Sequence, residues 1–157
     1  MKAARKVYAV VAVFLALVAI VALYVFRPRP VASLLREGTP EEATMVSVQG
    51  GLWDTTPVEA DAQDRTALLA LLSTTRVRWW PSDSMQTTRS DEKMYTLTLR
   101  RLNGDQWTVL GDFRLNESRQ LYAAGRLYTG DTDALVALLE KIYAGGPQGF
   151  YHKETLE

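Results

Sequence analysis

The stretch Met94–Tyr128, MYTLTLRRLNGDQWTVLGDFRLNESRQLYAAGRLY, decides the fold. Three runs in it, Met94–Leu102, Gln106–Leu115 and Gln120–Tyr128, alternate apolar and polar residues with the period of two of a half-buried strand. Tyr95, Leu97 and Leu99 share a face; so do Trp107, Val109 and Phe113, and so do Leu121, Ala123 and Leu127. A two-residue loop at Asn103-Gly104 would pair Leu102 with Asp105 and send Trp107 and Val109 to the wrong side. A three-residue loop, Leu102-Asn103-Gly104, pairs Leu99 with Trp107 and Leu97 with Val109, and places Gly104 in the left-handed position of a bulged turn. The three-residue loop keeps one apolar face and is the expected one.

Upstream, Met45–Gln49 and Trp53–Glu59 read as strands around Gly50-Gly51, the second irregular because of Pro57. Asp61 caps a helix over 62–73 with Leu68, Leu71 and Leu72 on one stripe. Arg76–Trp80 is a short strand stopped by Pro81. Downstream, Asp131 or Asp133 caps a helix ending near Tyr143, with Leu135, Leu138, Leu139, Ile142 and Tyr143 at i, i+3, i+4, i+7 and i+8. The expectation is an α+β domain: an antiparallel sheet of about five or six strands with both helices packed on one face.

Residues 7–26, VYAVVAVFLALVAIVALYVF, contain no charge, amide, glycine or proline. Twenty helical residues rise about 30 Å, a hydrocarbon core's thickness. The segment therefore reads as a transmembrane signal anchor. A cleaved signal peptide (nearest site Ile20-Val21-Ala22) and a buried helix are the rival readings. Lys2, Arg5 and Lys6 make residues 1–6 a short cytoplasmic tail, which puts the domain outside the cell membrane, single-pass. Residues 27–43 read as a linker with short helical turns, at Val31–Glu37 and at the Thr39-Pro40-Glu41-Glu42 capping signal. Residues 44–144 form the extracytoplasmic domain, and 145–157 a tail.

Composition removes several chemistries. With 157 residues the chain makes one domain plus an appendage. The lack of cysteine excludes disulfides, thiolate metal sites, a cysteine nucleophile and an acylated-cysteine anchor. The single histidine, His152, excludes a multi-histidine zinc site. Eighteen basic and eighteen acidic residues leave no footprint for nucleic acid. No nucleophile elbow, phosphate-binding glycine loop or metal-ligand spacing is present, so no catalytic residue, cofactor or metal ion is expected.

Candidate binding residues come from strand parity. Arg76, Arg78 and Trp80 share the face opposite Val77 and Trp79. If the meander's apolar face is inward, Arg100, Arg114, Tyr122, Arg126 and Tyr128 point outward. Arginine and tyrosine are enriched in binding hot spots, though they also suit an ordinary solvated sheet face.

From Thr39 to Tyr143 the chain resembles small secreted or membrane-anchored domains of unknown function from Gram-positive bacteria. The similarity rests on Pro40-Glu41-Glu42 before the first strand, a helix leading to a basic strand with Pro81-Ser82, a meander led by Tyr95, and Tyr128-Thr129-Gly130 before the last helix. The resemblance implies fold and location and carries no catalytic residue.

The expected function is a non-enzymatic binding or sensor module, anchored to the membrane through residues 7–26 and recognising a partner protein or envelope ligand. One alternative is a small envelope enzyme using Asp83, Ser84, Asp91 or Glu92 of the 81–93 loop. Another is an accessory subunit acting through its helix, where Ala9 and Ala12 offer small-residue spacing.

Overall fold

The computed structural model describes residues 2–50, 56–82, 85 and 92–146, with residues 2–7 and 9 through their backbone alone. The order is α1 (Lys2–Val25), β1 (Arg29–Pro30), β2 (Met45–Gly50), β3 (Val58–Glu59), α2 (Ala62–Thr74), β4 (Arg76–Trp79), β5 (Met94–Asn103), β6 (Gln106–Asn116), β7 (Gln120–Ala123), β8 (Arg126–Gly130) and α3 (Asp133–Gly145). The strands form one antiparallel sheet in the order β1-β4-β8-β7-β6-β5-β2-β3. The fold is α+β, with eight strands rather than five or six and three helices in the described residues.

The transmembrane expectation is corrected. Among the described residues, no helix is long and apolar enough to cross a membrane.

One cluster unites the sheet and two helices. Val46, Val48, Leu97, Leu99, Phe113, Leu115 and Leu121 meet Leu68 and Leu72 of α2 and Leu135 and Leu139 of α3, all fully buried. Helix α2 begins where expected, the Asp61 carboxylate accepting the Asp64 N–H at 2.7 Å. Thr132, rather than either aspartate, occupies the cap position of α3. Tyr95 packs edge-on to Tyr143 at 6.2 Å, and burial together with the nearby Glu140 charge raises its phenol above the usual value near 10.0.

The stretch expected as a linker joins the domain. Arg29 and Pro30 pair with Val77 and Arg76 at the sheet edge. A 3₁₀ turn, Val31–Leu34, replaces the expected helix over 31–37 and buries Val31 and Leu34. Glu42 accepts the Thr39 N–H at 3.2 Å, as the capping signal requires, and also bonds to Arg101. The expected strand at 53–59 appears only as Val58–Glu59, since residues 51–55 lie outside the described part. The tail residues 147–157, His152 among them, also lie outside it.

The β5–β6 hairpin departs from the expected parity. Its turn is Gly104-Asp105, with Asn103 opposite Gln106 and Leu102 opposite Trp107. The bulge sits deeper. Leu99 pairs with Gly111 and Arg100 with Val109, so Leu110 is the extra residue. One extra residue reverses every side chain beyond it. Trp107 (52% exposed) and Val109 (40%) thus leave the core with Leu102, while Leu110 is fully buried. The bulge is held from outside the hairpin. The Leu110 carbonyl accepts the Arg36 N–H at 2.8 Å, and a side chain at Gly111 would strike Leu35 at 2.5 Å.

The run 120–128, read as one strand, is a second hairpin. Ala124 and Gly125 form a two-residue turn, both with positive φ (50° and 77°). Such a type I′ turn favours Asn-Gly, and alanine pays a steric cost in the left-handed region. Ala124→Asn is expected to stabilise the protein by about 1 kcal/mol, read as a raised thermal midpoint. A lowered midpoint would show that Ala124 is not strained.

Candidate functional site

The turn at Ala124-Gly125 decides where the candidate arginines and tyrosines lie. Cross-strand partners share a face. Ala123, on the core side, pairs with Arg126, and Leu121 pairs with Tyr128, which in turn pairs with Trp79. Arg126 and Tyr128 therefore lie on the core side of the sheet, not on the outer face where uninterrupted alternation puts them. Tyr128 is 4% exposed and belongs to the core cluster. Leu127 moves the other way, opposite Tyr122 on the outer face.

At the sheet edge the core side is left open, and there the chain from α1 enters. Phe26 packs on Trp79 with ring centroids 5.4 Å apart. Beside this contact lies a cavity of about 740 Å³. Tyr24 and Val25, from the last turn of α1, line it. Arg29, Trp79, Arg126 and Tyr128 of the sheet line it as well, with Pro81, Ser82 and Gly125. Each arginine is positioned by backbone: Arg29 by its β-pairing with Val77, Arg126 as the first residue after the type I′ turn. Neither forms an ion pair among the described residues.

A smaller hollow of about 270 Å³ opens on the outer face across the same turn. Arg114 and Tyr122, opposite each other on β6 and β7, line it with Arg36, Asp112, Ala124 and Gly125. The eight sequence candidates thus separate. Arg126 and Tyr128 meet in the larger cavity, and Arg114 and Tyr122 in the smaller. Arg76 and Arg78 are exposed on strand β4, and Trp80 just beyond it is 53% exposed. Arg100 lies apart from both hollows, between Met45 and Val109.

Of the alternative catalytic loop over 81–93, only part falls within the described residues. Asp83, Ser84 and Asp91 lie outside the described residues. Glu92 accepts the Ser118 N–H at 2.9 Å and so holds the loop between β6 and β7.

Sequence reading missed Arg29, Tyr24, Ser82 and Trp79 as lining residues, having placed Trp79 in the core and Arg29 in a linker. The signal available for Arg29 was its position directly after an apolar helix, flanked by Pro28 and Pro30.

No family model, curated protein or solved structure matches this chain.

Proposed function

We propose that this chain is a non-catalytic binding module held at a membrane through α1, recognising a partner protein or envelope ligand with the basic, aromatic cavity at the base of that helix. The observation that carries the reading is α1 itself. Val10, Val11, Val13, Leu15, Val18, Ile20 and Leu23 are all exposed and together cover the helix on every side. An all-apolar helix surface demands a nonpolar environment.

Two further features support the reading. The cavity offers guanidinium and aromatic groups, which hold ligands rather than exchange protons near neutral pH. The β5–β6 hairpin also projects toward the end of the sheet where α1 leaves. Leu97 is level with Phe113, Ala123 and Arg126, and six further residues carry β5 to Asn103, about 20 Å beyond the β7–β8 turn. Leu102 and Trp107 pair near that tip, both exposed.

Flotation of the full chain with phosphatidylcholine vesicles tests the membrane contact. The native protein is expected to float. Replacing Leu15 and Val18 by lysine is expected to abolish flotation, because each lysine sets a charge on the apolar surface that would meet the lipid, while the domain's thermal midpoint stays unchanged. A native chain that remains at the bottom of the gradient, or a double variant that still floats, would refute the reading.

A further inference from the structure

We propose that the cavity between the end of α1 and the β4–β8 pair binds the phosphate group of an anionic lipid, with Arg29 and Arg126 as its charged contacts. This inference rests on the reading of α1 as a membrane contact. It adds a ligand class to a site that reading leaves general.

Tyr24 and Val25, at the end of the exposed apolar surface of α1, line the cavity together with Arg29 and Arg126. An amphiphile lying along α1 would bring its acyl portion against the helix and its headgroup between the two guanidiniums. No carboxylate among the described residues lines the cavity. Arginine's planar fork suits a phosphate diester, to which it donates two parallel hydrogen bonds. Arg27, whose guanidinium lies 6.0 Å from the Tyr24 ring centroid, adds positive charge at the same level.

The site is also largely built in advance. The β1–β4 ladder sets Arg29, the type I′ turn sets Arg126, and Trp79 and Tyr128 between them are held by pairing with each other and by the Phe26 ring. The backbone of the site therefore needs no ordering on binding, and only the two arginine side chains remain to be fixed. A volume of about 740 Å³ falls within the range of small-molecule sites and accommodates a headgroup with the first part of its chains.

The test compares the full chain on vesicles of phosphatidylcholine alone and on vesicles containing phosphatidylglycerol, at physiological salt. The anionic lipid is expected to tighten binding, and Arg29→Gln with Arg126→Gln to reverse about thirtyfold of that gain. The charge-conserving pair Arg29→Lys with Arg126→Lys is expected to lose most of it as well, since lysine keeps the charge and loses the fork. Arg76→Gln with Arg78→Gln, on the opposite face of β4, is expected to lose little.

Full retention of the gain by the lysine pair would show diffuse attraction and overturn the site, as would equal binding to both vesicle types. Competition by inorganic phosphate as effective as that by phosphatidylglycerol would assign the cavity to free phosphate and overturn the lipid. If the chain binds neither vesicle, the membrane reading fails separately. The cavity is then judged by short-chain phosphatidylglycerol in solution, followed by amide chemical shifts. Saturable shifts at Arg29, Trp79 and Arg126, absent from the lysine pair, support the site; their absence overturns it.

Discussion

Phe113→Ala is expected to cost about 4 kcal/mol of stability and to lower the thermal midpoint by roughly 12–20 °C. Phe113 is fully buried on β6, the strand between β5 and β7. Leu97 and Ala123 are its cross-strand neighbours, and its ring reaches over Gly111, where an added side-chain carbon would lie 2.9 Å away. Truncation therefore removes apolar contact from three strands at once. The surrounding backbone is held by ladder hydrogen bonds on both sides and by the bulge at Leu110, so the void cannot collapse freely. Chemical denaturation should show a lower midpoint with an unchanged slope. A loss under about 1 kcal/mol would show that the residue is not central to the packing described.

Gly130→Ala is expected to be nearly as damaging, by a different cause. Gly130 faces Val77 across the β8–β4 ladder. A side-chain carbon there would sit 2.4 Å from the Arg76 carbonyl oxygen and 3.0 Å from the Val77 Cα. Both are backbone atoms, so relief requires the two strands to part. Overpacking of this kind costs about 3 kcal/mol. The damage is local to the sheet edge that carries β1, Trp79 and hence the cavity. Faster amide exchange confined to β4 and β8, with loss of the Phe26–Trp79 contact, is the expected signature. A variant with native exchange on both strands would show that the ladder has room that the geometry denies.

Much of the fold was legible because it depends on local periodicity. The runs at 94–102 and 106–115 alternate, Asp61 stands before a leucine stripe, and 135–143 repeats at helical spacing. Each pattern emerges as the element it implies. The failures share one physical origin, which is parity. The sheet changes side wherever a single residue is added or a two-residue turn intervenes. The bulge at Leu110 reverses Trp107 and Val109. The turn at Ala124-Gly125, built on an alanine rather than the customary asparagine, reverses Arg126, Leu127 and Tyr128. Two of the five candidate residues on the meander face, Arg126 and Tyr128, were therefore assigned to the wrong side.

By itself the sequence determined the α+β class, the antiparallel meander, the two helices that pack on it, the exclusion of cysteine and multi-histidine chemistry, and the apolar character of residues 7–26. Those properties follow from composition and from spacings of two to four residues. Only the tertiary structure decided that Arg29–Pro30 is a sheet strand, that Arg36 closes the bulge of a hairpin some seventy residues away, and that Arg29 and Arg126 face one cavity beside the end of α1. These are pairings between segments distant in the chain. Hydrogen bonds across a ladder and the exclusion of water from a shared core select them, and neither leaves a local mark in the residues that take part.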